Sequence, residues 1–168
     1  MDNCSPAASG RHDLSPYLVR AATPEDIPDV RRMLSEYVGW IGLDLAFQEI
    51  DAELAGLPGD YAPPDGALFV AANDGRLGGM IGIRLFDGRI CEIKRLFVRP
   101  AARGQRLASQ LIDAALGEAR RIGYVEVRLD TLPMMTDAQS LYVAMGFRDI
   151  APYYDTPIAG TRFMAKAL

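Results

Sequence analysis

The segment LFVRPAARGQRLA, residues 96–108, contains the pattern that decides the fold. An apolar stretch ends at Val98 and is followed by Pro100, a polar loop with Gly104, and a run that continues as a helix. A glycine where a strand turns into a helix leaves successive backbone N–H groups that the first helical turn cannot satisfy. A helix N-terminus also carries roughly half a positive charge. The loop therefore predicts a cradle for a compact anion.

Positive charge is concentrated around this loop in an otherwise acidic chain. The 168 residues carry 18 basic and 22 acidic side chains, with a formal charge of −4, which argues against nucleic acid as a partner. Between residues 84 and 106 seven basic side chains accompany two acidic ones, a local charge of +5 that leaves −9 for the rest of the chain. The seven are Arg84, Arg89, Lys94, Arg95, Arg99, Arg103 and Arg106. The alternative is a solvated face of an amphipathic strand.

Composition is that of an ordinary folded protein. Hydrophobic residues make up 49% and charged residues 24%, which excludes a disordered or collagen-like chain. We expect a mobile tail over residues 1–16 and a single domain over residues 17–168. Because no long uncharged apolar run and no signal-like start is present, we expect no membrane partner and a cytoplasmic location.

Histidine and cysteine are too sparse for several common kinds of site. The two cysteines, Cys4 and Cys91, lie far apart, and the one histidine, His12, lies in the polar tail. A disulfide framework, a histidine-based zinc site and Ser-His-Asp hydrolysis are therefore disfavoured, and we expect no metal.

Hydrophobic periodicity and turn signals predict a mixed α/β sheet. The strand predictions are residues 17–21, 67–72, 77–86, 90–98, 124–129, 147–150 and 161–165. The helix predictions are a helix capped by Thr23 that runs to Trp40, and residues 47–57, 105–122 and 137–145. The Asn73–Arg76 turn favours an antiparallel meander, and residues 90–129 form a strand-helix-strand unit. Such a unit should be a right-handed crossover that joins two parallel strands.

The loop resembles that of the GNAT superfamily of acetyl-CoA-dependent N-acetyltransferases. That family has the pyrophosphate-loop pattern Q/R-x-x-G-x-G/A after a strand ending in x-V-x-P. Here Arg103 fits the first position and Ala108 the last, whereas Arg106 stands where the family usually has its first glycine. We expect Arg106 to take helical backbone angles at the start of the helix and to add a cation to the phosphate site.

A second segment carries the same resemblance. AQSLYVAMGF, residues 138–147, is similar to the family pattern A-x-x-L-Y-x-x-x-G-F, although Met135 replaces a common asparagine before it. The loop PYYDTPIAG, residues 152–160, looks like that of one bacterial subgroup of small acetyltransferases. The order of elements over residues 17–168 is also similar, so the resemblance implies a GNAT-like fold with acetyl-CoA as acetyl donor.

The resemblance assigns the donor to two adjacent segments. Backbone N–H groups near Leu96, Phe97 and Val98 are expected to hold the pantetheine arm and the oxyanion, and a bulge would explain how a strand offers unpaired donors. The residues expected at the pyrophosphate are Arg103, Gly104, Gln105, Arg106, Leu107 and Ala108.

Two catalytic residues are expected. An alkylamine with a pKa of about 10.4 is protonated at neutral pH, so a carboxylate must help to deprotonate it. Glu92 lies in the strand that the family uses for this purpose; its alternative is an ion pair with Lys94 or Arg95 on the sheet surface. Tyr142, carried over from the family's helix tyrosine, is the candidate acid for the departing thiolate. The alternative for Tyr142 is a tyrosine packed in the core.

The acceptor is less well specified. Between residues 41 and 75 there are seven acidic residues and no Lys or Arg, a pattern that attracts a cationic amine or simply forms a solvated face. Tyr153, Tyr154 and Asp155 are expected near the thioester end, with ordinary loop packing as the alternative. We expect transfer of acetyl to a primary amine of a small molecule or peptide; the alternative is a non-catalytic acyl-CoA-binding or regulatory module. A homodimer is left open.

Overall fold

A computed structural model describes residues 16–44 and 49–168. Apart from Pro16, the expected mobile tail lies outside the described residues, as do Cys4 and His12. The expected start of the second helix at Phe47 lies outside them as well.

The described residues form a seven-stranded mixed sheet in the order β1-β2-β3-β4-β5-β7-β6. The first four strands are an antiparallel meander, and β4 pairs in parallel with β5 through a crossover helix, which confirms the predicted fold class. The strands are β1 Leu18–Ala21, β2 Ala67–Asn73, β3 Arg76–Asp87, β4 Ile90–Val98, β5 Glu126–Thr131, β6 Arg148–Asp149 and β7 Arg162–Ala167.

Helices cover both faces of this sheet. They are α1 Ile27–Ile41, α2 Ile50–Gly56, α3 Leu107–Ile122 and α4 Thr136–Ala144. The apolar side of α1 joins β2 and β3 residues in one core cluster, whereas α3 packs on the opposite face in a second cluster that includes Tyr142 of α4. Two apolar stripes with helical spacing therefore bury the two faces of the sheet, as the periodicity predicts.

Two helix starts differ from the predictions. The Thr23 cap opens a short 3₁₀ turn, Pro24–Asp26, before α1 begins at Ile27. Helix α3 begins at Leu107 rather than at Gln105, because Arg106 has left-handed backbone angles, φ 56° and ψ 26°. The expectation of helical angles at Arg106 is therefore wrong: the chain must turn sharply there before the helix can begin.

A wedge opens between β4 and β5. Within the described chain the two strands pair only from Ile90 opposite Glu126 to Glu92 opposite Arg128. Beyond that point β5 remains paired with β7, while β4 remains paired with β3. In the same region β4 contains a bulge, where the register shifts and Arg95 takes a φ of 61°. The wedge thus faces the expected donor-binding residues of β4.

Candidate active site

The wedge exposes backbone donors of β4. The Arg99 N–H donates to the Gly78 carbonyl at 2.8 Å, on the β3 side of the strand. Because successive N–H groups of a strand point in opposite directions, the Val98 N–H points toward the side from which β5 has diverged. A bulge of the kind that would explain unpaired donors is present in β4, and in the described part of the chain no strand pairs with β4 on the side of the Val98 amide.

A groove of about 330 Å³ extends from this wedge to the start of α3. Its lining contains every residue predicted for the donor except Gln105, whose carbonyl accepts a hydrogen bond from Gln110 Nε2 at 3.1 Å. The other lining residues, which the sequence analysis did not identify, are Trp40, Met134, Met135, Thr136, Asp137, Ala138 and Leu141. Met135 and Leu141 lie in or beside the second motif, whereas nothing in the sequence pattern distinguishes Trp40.

The N-terminus of α3 is suited to an anion. Gly104 and Arg106 both have positive φ, at 83° and 56°, so the loop turns twice before the helix begins. Within the described structure no side chain caps this end, and the Ser109 hydroxyl instead donates to the Arg106 carbonyl at 2.8 Å. The first N–H groups of the helix are thus left for a ligand, where the helix dipole adds favourable charge.

Ion pairs in the folded structure neutralise most of the basic cluster seen in the sequence. Several of its members pair with carboxylates from other elements: Arg84 with Glu92, Lys94 with Asp130, Arg95 with Glu53, and Arg99 with Asp29 and Glu36. Arg103 and Arg106 line the groove, and neither forms an ion pair with any residue that the structure describes. Arg89 donates to the Gly123 carbonyl at 3.0 Å and does not line the groove. Among the seven, the positive charge that faces the groove is therefore that of Arg103 and Arg106.

A smaller cavity of about 40 Å³ adjoins the groove. Leu96, Met135 and Ala138 line both spaces. Tyr142 lies in the wall of the small cavity, and its ring packs edge-on against Phe147 with centroids 5.5 Å apart. Burial raises the pKa of Tyr142 well above its ordinary value, so the phenol keeps its proton at neutral pH. The predicted packing and the predicted acid position are compatible.

Glu92 is buried, with only 3% of its surface exposed. Its Oε2 accepts hydrogen bonds from Arg84 Nε at 3.1 Å and Nη2 at 3.0 Å, and its Oε1 accepts one from the Tyr153 hydroxyl at 2.8 Å. Lys94 Nζ lies 3.3 Å from Oε1. The alternative of a surface ion pair is thus corrected: the pair with Lys94 exists inside the protein, and Arg95 pairs with Glu53 instead.

The acidic segment contributes to a separate cavity of about 210 Å³ between α2 and β3. Three of its seven acids, Glu49, Glu53 and Asp60, line this space together with Arg84. Although burial opposes it, Arg95 holds the pKa of Glu53 below its usual value through hydrogen bonds at 2.9 and 2.8 Å. The carboxylate of Glu53 is thus ion-paired with Arg95 in the β4 bulge.

The predicted acceptor loop reaches the same face through its tyrosines. Tyr153 bonds Glu92, and the Tyr154 ring lies 5.9 Å from Lys94 Nζ. Asp155 is exposed and is not among the described residues that line the three cavities. The structure therefore brings Tyr153 and Tyr154, but not Asp155, to the charged groups beside the small cavity.

Comparison with known proteins identifies the family. The model of the acetyltransferase (GNAT) family matches residues 27–147, more than half of the chain. The chain belongs to the GNAT family. This GNAT protein is 37% identical over 143 residues to an uncharacterised N-acetyltransferase of Schizosaccharomyces pombe, covering 84% of this chain and 88% of that protein. Membership of the family makes acyl transfer from an acyl-CoA its class of activity.

Solved structures show the same fold. A GNAT-family acetyltransferase of Staphylococcus aureus superposes with a TM-score of 0.74 at 20% identity, covering 90% of this chain and 98% of that one. PaiA N-acetyltransferase of Thermoplasma acidophilum, solved in complex with coenzyme A, gives a TM-score of 0.71 at 19% identity, covering 92% and 100%.

The described residues of this GNAT chain contain neither a membrane-spanning helix nor a cluster of metal-ligating side chains. In residues 16–44 and 49–168, no helix combines the length and apolar character needed to cross a bilayer. Over the same ranges, His, Cys, Asp and Glu side chains form no group of three or more that could hold a metal ion.

Proposed function

We propose that the protein is an N-acetyltransferase that transfers acetyl from acetyl-CoA to a primary amine of a small molecule or peptide by direct attack. The observation that carries this proposal is a pair of adjoining spaces that share Leu96, Met135 and Ala138 in their linings. The groove lies at the uncapped N-terminus of α3 and the bulged strand β4, and Tyr142 lines the small cavity beside it.

The donor fits this space in one direction. Its pyrophosphate binds the amides of residues 103–108, helped by the guanidinium groups of Arg103 and Arg106. Its pantetheine arm follows Leu96, Phe97 and Val98 and hydrogen bonds the amides of β4 in the place that a neighbouring strand would otherwise occupy. The coenzyme A complex of the Thermoplasma acidophilum neighbour supports this choice of donor.

The reaction follows from the groups at the inner end. The amine nitrogen attacks the thioester carbonyl, a C–N bond forms and the C–S bond breaks. Backbone N–H groups of β4 stabilise the oxyanion in the water-poor wedge. Tyr142 supplies a proton to the departing thiolate, and its buried phenol holds that proton until the thiolate develops.

The acceptor enters from the face of α2 and the 152–160 loop. Glu49 and Asp60 line the cavity on that side and attract a cationic amine, while Tyr153 and Tyr154 border the thioester end and Asp155 lies on the same loop. Glu92 remains a proposed acceptor of the amine's proton. Since both its oxygens already accept hydrogen bonds, it acts through Tyr153 or Lys94 rather than by touching the amine.

Two measurements on the purified protein test this function. Calorimetry with acetyl-CoA and with CoA is expected to show saturable binding. Release of free thiol is then expected with at least one member of a panel of primary amines. Binding without thiol release across the panel would support a non-catalytic acyl-CoA-binding module, and absence of saturable binding would exclude both functions.

A further inference from the structure

We propose that Asp130, near the end of β5, is the carboxylate that takes the proton directly from the attacking amine, whereas Glu92 acts only indirectly, through Lys94, which contacts both carboxylates. This inference rests on the proposed acetyl transfer and names a catalytic group that the sequence pattern did not identify.

Asp130 occupies the wedge itself. It lies two residues beyond Arg128, the last residue of β5 that pairs with β4, and it lines the same small cavity as Tyr142. It is the one carboxylate among the described residues that line this cavity, whereas Glu92 lies outside the lining. A base must be within hydrogen-bond reach of the proton it removes. Because Asp130 lines the cavity beside Tyr142, an amine that enters this cavity comes next to its carboxylate.

The two carboxylates differ in their free acceptor capacity. Lys94 Nζ donates to Asp130 Oδ1 at 2.6 Å, but Asp130 Oδ2 forms no hydrogen bond with any residue in the described part of the chain. Both oxygens of Glu92, in contrast, already accept hydrogen bonds. Lys94 lies between the two carboxylates, at 2.6 Å and 3.3 Å, and so holds Asp130 in place.

Several ionisable groups face Asp130, and all belong to the proposed site. They are Lys94, Glu92 and Arg95 of β4, Tyr142 of α4, Tyr37 of α1 and Tyr153 of the loop before β7. Burial, opposed by the charge of Arg95 and assisted by that of Asp130, raises the pKa of Tyr37 to about 12. Burial also raises the pKa of Tyr142, with smaller contributions from Tyr37 and Asp130. The base therefore helps to keep the acid protonated.

The proton balance closes with these groups. The acceptor enters as an ammonium and gives one proton to Asp130 Oδ2. The free nitrogen then forms the C–N bond while the C–S bond breaks, and the thiolate takes the proton of Tyr142. The second nitrogen proton returns through water to Tyr142, and Asp130 releases the first to solvent.

The test compares Asp130→Asn with Glu92→Gln in steady-state kinetics between pH 6 and 10, using an amine that the wild type acetylates. For Asp130→Asn we expect kcat/KM to fall about 10²-fold near pH 7, with the Kd for acetyl-CoA unchanged. The deficit should shrink as pH approaches the pKa of the amine, about 10.4 for a lysine-like acceptor, because the free amine needs no base. Glu92→Gln should show a smaller deficit.

Circular dichroism and thermal unfolding verify that each variant folds. If Asp130→Asn does not fold, the charge-balanced Asp130→Asn/Lys94→Met variant takes its place and is expected to show the same pH-dependent deficit. A deficit of equal size at every pH, or activity within about threefold of wild type near pH 7, would overturn the role of Asp130. Acetyl-CoA that fails to bind the wild type would instead overturn the proposed function.

Discussion

Arg106 combines an unfavourable backbone conformation with a useful side chain. A non-glycine residue in the left-handed region costs about 1 kcal/mol, and Arg106 has φ 56° and ψ 26°. The same turn aims the first amides of α3 at the groove, which the Arg106 side chain also lines. A glycine would adopt these backbone angles without strain, but it would not place a guanidinium group in the groove.

Replacing Arg106 should separate these two effects. For Arg106→Gly we expect a free energy of unfolding equal to that of the wild type or up to about 1 kcal/mol higher, since the strain is removed. The Kd for acetyl-CoA should rise several-fold because one cation is lost. Arg106→Ala is the matched control: it loses the cation but keeps the strain. Urea denaturation and calorimetry measure both quantities, and unchanged affinity in both variants would contradict the role of the guanidinium.

Tyr142 allows a test of chemistry without loss of packing. Tyr142→Phe keeps the contact with Phe147 and removes only the hydroxyl in the cavity wall. We expect kcat to fall on the order of 10²-fold while the Kd for acetyl-CoA changes less than threefold. Tyr124→Phe is a suitable control, because its hydroxyl donates to the Asp65 carbonyl at 2.6 Å, outside the groove. Equal losses in the two variants would indicate a structural role for Tyr142.

At the scale of elements, α1 forms one wall of the donor groove. Arg99, just after β4, holds this helix through Asp29 and Glu36, with closest contacts of 3.1 and 2.8 Å. The last turn of α1 then presents Trp40, 52% exposed, to the groove. Burial of a large exposed apolar side chain is favourable in free energy, so we expect the pantetheine arm to cover the indole ring of Trp40.

Trp40 is the one tryptophan of the 168 residues, so intrinsic fluorescence reports on this wall alone. Saturating CoA should change the emission of Trp40, whereas adenosine 3′,5′-bisphosphate, which lacks the pantetheine arm, should not. By calorimetry Trp40→Ala should weaken acetyl-CoA binding several-fold. Val143→Ala, a half-exposed residue of α4 outside the described groove lining, should leave binding unchanged. An emission change caused by the nucleotide alone would place the adenine, not the arm, on Trp40.

At the scale of the whole molecule, ion pairs join elements that are distant in sequence. Glu53 of α2 pairs with Arg95 in the bulge of β4, and Lys94 joins β4 to Asp130 of β5. These two pairs hold α2 and the diverging strands around the wedge. A local pair lies elsewhere: Arg20 of β1 hydrogen bonds Asp26, six positions on, and lowers its pKa to about 2.

The paired carboxylates predict how stability depends on pH. A carboxylate whose pKa is lowered on folding stabilises the native state above its unfolded pKa, and this contribution is lost as pH falls through the folded value. Folding lowers the pKa values of three carboxyl groups, those of Asp26, Asp29 and Glu53. The free energy of unfolding should therefore decrease as the pH is lowered from about 4 to about 2. Urea denaturation over a pH series measures this fall, and constant stability down to pH 2 would contradict it.

Glu53→Gln provides the matched variant for that series. Because it leaves the buried Arg95 without its carboxylate partner, we expect a loss of about 3 kcal/mol at pH 7. The difference from the wild type should narrow at low pH, where the native Glu53 becomes protonated as well. A difference that stays the same at every pH would show that the carboxylate charge is not what stabilises the bulge.

Local patterns determined the order and type of the elements. The bounds of β4, Ile90–Val98, and the hairpin at Asn73–Arg76 agree with the predictions, because turn chemistry and hydrophobic periodicity act over a few neighbouring residues. It was also predictable that the residues proposed for the donor, except Gln105, line one groove, since they occupy one short motif whose geometry follows from a strand, a turn and a helix. The left-handed turn at Arg106 could not be predicted, because arginine, unlike glycine, has no preference for that backbone conformation.

Tertiary structure decided which basic side chains remain without a carboxylate partner and which side chains line the small cavity. Lys94 and Asp130 are 36 positions apart, and Arg95 and Glu53 are 42 apart. Nothing within either neighbourhood indicates these partners, so the basic cluster looked free and Asp130 looked like any strand residue. Only the divergence of β4 from β5 creates the wedge, and the small cavity there is lined by Asp130 and Tyr142. The two strands can separate because β3 and β7, which come from other parts of the chain, pair with their outer edges.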